Sequence, residues 1–526
     1  MFRFLFSLLV ALIHAAFAIP SAEAGSTPLQ GHTVFQTTFE SLEFPKNWRS
    51  EGSGKAVLEA VAEGKRVLSV STQDPGTHMV FIPVPIDKIR GFRVTLSATL
   101  KAENVSKPKE PWNGVKLMLK TVSPKGANYE GLMNSYGTFD WKELGLTAVI
   151  PPDATEATIV LGIQDASGKT WFKNVSLTVS APPRKRPASS PALLPPEKLD
   201  RRSDLPRLRG VMYGPKGKEE DLRELAKWKA NLIRWQFYWY DGSFPEKRLD
   251  LVRYDRWLEE TMAEVDRFLP LCETLGIRVI IDLHTPPGAG ASGQWALFQD
   301  KLYQQKFIEI WDRLANHYKT KPAIWGYDLV NEPVEGKNAD GLLDWHSLAG
   351  LVARRIRAID PQHAIIIEPG PSGGWGNLPF FEPIDVPGIV YSIHLYDPLQ
   401  FTHQGVMDGI PVGQAYPGTV NGVLWNKAKL REDLEAVRQY QKDYNVPVYI
   451  GEFSAVRWAP DDSAARYLRD CIELFEEFEW DWSYHAFREW HGWNVELGPN
   501  KEEQTRVPQP TSRGKILLEG FSRNQR

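Results

Sequence analysis

A chain of 526 residues with a formal charge of −3 is too long for one ordinary domain and suits two or three. It has no dominant basic block, which argues against nucleic acid as the natural partner. Two cysteines, Cys272 and Cys471, neither in a closely spaced Cys/His cluster, argue against a zinc site.

The first residues, "MFRFLFSLLVALIHAAFAIPSAEAGS", carry Arg3, an apolar run from Phe4 to Phe17, and small-residue patterns at Ala16-Phe17-Ala18 and Ala22-Glu23-Ala24. That layout predicts a signal peptide over residues 1–24, with a retained membrane anchor as the alternative. No later run is apolar enough to span a bilayer. The expectation is an exported, soluble protein, secreted or periplasmic, with a monomer as the default.

Residues 27–180 read as a β-domain. Alternating segments such as "GFRVTLSATL", "GVKLMLKTV" and "ATIVLGIQD" are separated by Pro, Gly and Asn turns. The closing segment "SGKTWFKNVSLTV" resembles the last strands of jelly-roll carbohydrate-binding modules, where a small-Gly turn leads into a Trp-Phe pair. A β-sandwich that only braces the next domain is the alternative. Residues 181–204 hold six prolines and six basic residues without an apolar period and predict a semi-extended linker.

From residue 205 to 522 the pattern alternates. "LRGVMYG", "ANLIRWQFYW", "IRVIIDLHTPP", "AIWGYDLVNEP", "AIIIEPG", "GIVYSIHLYDP", "VPVYIGEF" and "DWSYHAFREW" are apolar runs, with amphipathic helical stretches between most of them. Near-continuous apolar strands are buried on both faces, as parallel strands are. Eight of them with crossover helices predict a (β/α)₈ TIM barrel. A doubly wound open sheet is the fold alternative, but "VMYGPKGKEE" lacks its Gly-rich phosphate turn. In the barrel Cys272 and Cys471 lie on helices after strands two and seven, which are not neighbours. Two free, buried thiols are expected.

The active site of such a barrel lies at the C-terminal strand ends. Those ends are polar here: Arg234 in strand two, His284 at strand three, Asn331-Glu332 at strand four, His394 and Tyr396 at strand six, and Glu452 at strand seven. Cleaving a glycosidic bond needs one acid to protonate the leaving oxygen and a second group to attack or shield the anomeric carbon. The two pKa values must be pushed apart. Arg234 and Tyr396 could keep Glu452 ionised, while Glu332, beside apolar walls, would keep its proton.

These residues resemble those of family 5 glycoside hydrolases, over residues 205–522. "NEP" and "GEF" together with "LIRW", "DLH" and "HLY", in that order, carry the resemblance. It implies a retaining β-glycosidase with Glu332 as acid/base and Glu452 as nucleophile. Asn331 would bind the sugar 2-hydroxyl, Arg234 and Tyr396 would position the nucleophile, and His284 and His394 would line the −1 subsite. No metal and no organic cofactor are implied. The family's strand-eight Trp has several candidates in "WSYHAFREWHGWNVE": Phe487, Trp490 and Trp493, with Trp490 favoured. Nineteen tryptophans, several in predicted loops, suit stacking against sugar rings. The expected substrate is a β-linked oligo- or polysaccharide, first a β-1,4-glucan cleaved internally. A β-mannanase or exo-acting β-glycosidase comes second, and a non-catalytic carbohydrate-binding protein third.

Overall fold

The computed structural model describes residues 32–524, apart from 41–42, 62–64, 111, 125, 134, 182–206, 240–249, 290–294, 337, 340 and 407–409. The signal segment and nearly all of the linker lie outside the described residues.

The N-terminal strands are β1 (Thr33–Thr37), β2 (Arg49–Gly52), β3 (Lys55–Ala60), β4 (Arg66–Val84), β5 (Arg93–Val105), β6 (Gly114–Ser123), β7 (Gly126–Gly131), β8 (Gly137–Val149) and β9 (Glu156–Ala181). They form one nine-stranded antiparallel network with the path β2-β4-β9-β5-β8. The long β9 serves two sets of partners. Its first half pairs with β6 and its second half with β5, while β4 runs beside both. Alternate residues such as Leu96, Leu100, Leu161, Phe172 and Leu177 point into a common buried core. Side chains on the other face are left for solvent, as period-two alternation requires.

The second unit is a closed barrel of eight parallel strands in the order β10-β11-β12-β13-β14-β15-β18-β19. These are β10 (Arg209–Tyr213), β11 (Leu232–Gln236), β12 (Arg278–Asp282), β13 (Ile324–Asp328), β14 (Ala364–Ile367), β15 (Ile389–Leu395), β18 (Val448–Phe453) and β19 (Asp481–Phe487). A small hairpin, β16 (Gly418–Val420) and β17 (Val423–Trp425), interrupts the run before β18. Helices α1 (Glu219–Lys227), α2 (Leu251–Leu275), α3 (Lys301–Tyr318) and α4 (Trp345–Ile359) follow the first four barrel strands. A 3₁₀ segment, Trp375–Phe380, takes the place of a helix between β14 and β15. The remaining helices are α5 (Leu399–Thr402), α6 (Lys427–Tyr444), α7 (Ser463–Glu477) and α8 (Ser512–Ser522).

Helix limits follow local chemistry. Asp250, Asp300, Asp344 and Asn426 accept backbone N–H groups at the starts of α2, α3, α4 and α6. Gly276, with φ 69°, ends α2 in the left-handed conformation that glycine adopts freely. Cys272 and Cys471 are free and buried. No helix among the described residues is long and apolar enough to cross a membrane.

Strand alternation separates two regions of the barrel. Ile233, Trp235, Val279, Ile281, Tyr327, Ile365 and Ile393 face outward and pack against the helices. Leu232, Ile280, Trp325, Ile366, Val390 and Tyr449 fill the interior as an apolar plug. The barrel is therefore a packed core below its mouth, not a pore. One step toward the C-terminal strand ends, the inward residues turn polar.

Candidate active site

The polar layer begins one inward step above the plug. Leu232 is followed by Arg234, Ile280 by Asp282, Ile366 by Glu368, and Val390 by Ser392 and then His394. Two register shifts adjust this count: one near Trp325 brings Asp328 inward, and one at Ile393/His394 brings Glu452 opposite His394. Bulges of this kind re-aim a side chain without breaking the barrel. Gly451 is needed at the second. A Cβ there would lie 2.6 Å from Ser392 Oγ and 2.9 Å from His394 Nε2.

Arg234 is completely buried and organises the layer. Its Nε donates to Asp328 Oδ2 at 2.8 Å and its Nη1 to Glu452 Oε1 at 2.8 Å. Nη2 donates to Glu368 Oε1 at 2.9 Å and to Asn331 Oδ1 at 3.1 Å, and lies 3.2 Å from Asp282 Oδ1. Burial opposes the charge on Arg234, but Asp282, Asp328, Glu368 and Glu452 together raise its pKa well above the usual value. Asp328 responds in the opposite sense. Burial, with repulsion from Glu368 and Asp282, lifts its carboxyl well above the ordinary range against the pull of Arg234.

Glu452 has the other character. Its Oε2 accepts from Tyr396 Oη at 2.9 Å and lies 3.1 Å from His485 Nδ1 and 3.7 Å from His394 Nδ1. Burial alone would push its pKa up. The imidazoles of His394 and His485 and the guanidinium of Arg234 outweigh that and hold it well below the carboxylate range. The imidazoles are raised in return: despite burial, Glu368 and Glu452 lift His394 well above its usual value, and Glu452 lifts His485 to about 10. A buried, ionised carboxylate pinned at both oxygens is what a nucleophile requires.

Glu332 follows β13 in a left-handed turn, φ 47°. Glu368 Oε2 holds that turn by accepting the Glu332 backbone N–H at 2.7 Å. The Glu332 carboxylate meets His394 Nδ1 at 2.8 Å, and its side chain is 38% exposed. The sequence suggested apolar walls at this point; an imidazole stands there instead. One oxygen each of Glu332 and Glu452 and a ring nitrogen of His394 lie within 4.8 Å of one another. Those three groups could also converge on a cation, but Arg234 and two raised imidazoles already supply positive charge there. The oxygen gap is shorter than the roughly 6.5–9.5 Å that leaves room for water in inverting glycosidases.

The cellulase profile of glycosyl hydrolase family 5 matches residues 199–489, more than half of the chain. The chain belongs to glycosyl hydrolase family 5. It is therefore a glycosidase, in a family whose members generally retain configuration. Endoglucanase C of Acetivibrio thermocellus is 25% identical over 287 residues, spanning 50% of this chain and 81% of that protein. Cellodextrinase A of Ruminococcus flavefaciens is 22% identical over 267 residues, 49% of this chain and 75% of that protein. Among solved structures, Thermotoga maritima Cel5A in complex with cellobiose is 23% identical, with a TM-score of 0.46 over 60% of this chain and 97% of that one.

In this family 5 barrel, Arg234, Asn331, Glu332, His394, Tyr396 and Glu452 form one connected group. His284 joins it through Asp282, whose Oδ2 is 2.8 Å from His284 Nδ1, and packs edge-on against Tyr238. Of the strand-eight aromatics, Phe487 faces Trp228 in the outer core. Trp493 stacks on Tyr396 at 5.7 Å and lies 4.5 Å from His485. Trp490 sits one ring further out, against Trp493 and Trp458. Sequence reasoning missed Glu368, Asp282, Asp328 and His485. The first three were visible as acids within apolar strands, which must find partners when buried. His485 stands at an inward position two residues after Ser483, but the neighbouring tryptophans drew the reading away.

His485 is backed by Glu489, whose Oε1 is 3.7 Å from His485 Nε2 and whose Oε2 accepts from Gln236. Removing the imidazolium from Glu452 raises the carboxyl's pKa, and a nucleophilic role requires the ionised form. In His485→Gln the acidic limb of the kcat/KM profile is therefore expected to move to higher pH by about one unit. An unmoved limb would contradict the assigned charge. Gly451→Ala should displace His394 and lower kcat at least about tenfold while the thermal midpoint falls by only a few degrees. Wild-type kcat in that variant would show that the contact yields freely.

Proposed function

We propose that this chain is an exported β-1,4-glucan hydrolase of endoglucanase type that works by double displacement. The observation that carries the reading is the pairing of Glu332 and Glu452 across one short gap, with both oxygens of Glu452 held by cations or hydroxyl donors. In the first step a Glu452 oxygen bonds to the anomeric carbon as the glycosidic C–O bond breaks, and Glu332 gives its proton to the departing oxygen. In the second, Glu332 takes a proton from water, the water oxygen bonds to the anomeric carbon, and Glu452 departs as carboxylate.

His394 touches Glu332 and also faces Glu368 at 3.1 Å, so the acid/base rests against a charged relay that can follow its change of state. Asn331, tied to Arg234 by its carbonyl oxygen, keeps its amide group for the sugar 2-hydroxyl. Trp493, and Trp490 behind it, supply apolar area for sugar C–H faces. The glucan reading draws on the named activities of the endoglucanase and cellodextrinase relatives, and the cellodextrinase favours short oligosaccharides as the second substrate class. Export rests on the N-terminal sequence, and the N-terminal strands are read as a jelly-roll carbohydrate-binding domain.

Glu332→Ala and Glu452→Ala are each expected to lower turnover of β-1,4-glucan by about 10³-fold or more without loss of the folded state. Substantial residual turnover in either would overturn the assignment. Proton NMR of the first product should show the β-anomer; an α-anomer would exclude retention. A hydrolysis panel of β-glucan, mannan and xylan with product lengths read out tests the substrate. Faster turnover of mannan than of glucan would move the proposal to a mannanase.

A further inference from the structure

The outer face of the N-terminal sheet carries two tryptophans that the core does not use. Trp171 lies on β9, paired across the sheet with Lys101 of β5 and Ser69 of β4. Its sequence neighbour Phe172 is fully buried on the opposite face. Trp141 lies on β8, on the far side of β5. Contacts put the two rings on one face. Lys101 Nζ reaches over Trp171 at 5.7 Å and also lies 3.6 Å from Asp140, beside Trp141. Lys173, two residues after Trp171, places Nζ 4.2 Å over the Trp141 ring. A single strand separates β8 from β9, so the two side chains spring from strands two spacings, about 10 Å, apart. That matches the length of a disaccharide unit.

Polar groups surround the rings in a balanced way. Lys169 Nζ sits 4.6 Å over Trp171 and is paired with Glu59 at 2.9 Å. Trp171 Nε1 also donates to Glu59, which fixes the indole in its plane. Hydrogen bonding by Lys169 is the leading reason that Glu59 stays ionised below the usual range. Lys101 is matched by Asp140. Of the three lysines against the rings, Lys101 and Lys169 are paired with carboxylates, so the face offers donors and acceptors side by side with only a small net charge. It suits a neutral, hydroxyl-rich chain and not a polyanion, which would select unpaired cations.

We infer that Trp141 and Trp171 form a platform on which a neutral β-linked glycan chain lies across strands β8, β5 and β9. Sugar C–H faces stack on the two indoles, and Lys101, Lys169, Glu59 and Asp140 exchange hydrogen bonds with the hydroxyls. The choice of β-1,4-glucan as first probe rests on the proposed activity.

The test is retention of the full chain by polysaccharides in a Glu452→Ala background, where turnover does not erode the ligand. The probes are β-1,4-glucan, mannan, xylan and a polyuronate. Trp141→Ala is expected to weaken retention by the preferred neutral glycan roughly fivefold, and Trp171→Ala at least as much. In the otherwise unaltered enzyme, hydrolysis of a short aryl glycoside should not change. Trp141 is the cleaner variant, since Trp171 also anchors Glu59, and unchanged near-ultraviolet circular dichroism checks the fold. Retention unaffected by Trp141→Ala, or retention only of the polyuronate with steep salt dependence, would overturn the inference. Binding of mannan or xylan in place of glucan, lost with Trp141, would support the platform while contradicting the glucan assignment.

Discussion

Arg234 is a guanidinium with no exposure to water, set among Asp282, Asp328, Glu368 and Glu452. The raised imidazoles of His394 and His485 share with Arg234 the balancing of this negative charge, and the carboxylates differ in what they contact. Burial and its acidic neighbours raise the Asp328 pKa, whereas His394, His485 and Arg234 hold that of Glu452 well below the usual range. Glu368 steadies the turn that presents Glu332. Leaving a buried charge without any partner costs about 3–5 kcal/mol, and Arg234 has several, so its carboxylates are coupled through it. The barrel makes this arrangement possible: each strand needs to contribute only one inward side chain at the same height, above an apolar plug that excludes water from below.

The same network gives the two acids different environments. Glu452 has its oxygens fixed by three neighbours and is 3% exposed, whereas Glu332 has a more open side chain that meets the His394 ring. Solvent access at Glu332 suits a group that must exchange a proton with substrate and then with water. Enclosure at Glu452 suits a group that forms and releases a covalent bond. His394 joins the two, so a change of protonation at one acid is felt at the other.

Much of this was legible in the sequence for a definite reason. Each of Arg234, Asn331, Glu332, His394, Tyr396 and Glu452 lies in or just beyond an apolar strand inside a short motif, and parallel strands buried on both faces announce a barrel by their length and composition. Residues that act behind those motifs were harder to find. Asp282, Asp328 and Glu368 become interpretable only when strand order and register bring them around one arginine. Two register shifts set which residues face inward, and hydrophobic alternation alone does not mark them. His485 was masked by the aromatic-rich stretch that follows it, where Trp490 drew the expectation and Trp493 proved to be the ring against Tyr396. In the N-terminal unit the alternation was readable. The order β2-β4-β9-β5-β8, which aligns Trp141 with Trp171, depends on long-range pairing that local sequence does not specify.

The central claim is that the arginine-centred network makes Glu452 the nucleophile and Glu332 the proton carrier. It is tested most directly by small-anion rescue of the two alanine variants with sodium azide and an aryl β-glycoside whose leaving group needs no protonation. With Glu452→Ala, azide should attack the anomeric carbon in place of the missing carboxylate and yield the α-glycosyl azide. With Glu332→Ala, azide should capture the glycosyl-enzyme and yield the β-glycosyl azide. The opposite anomers, or a β-azide from Glu452→Ala, would contradict the account.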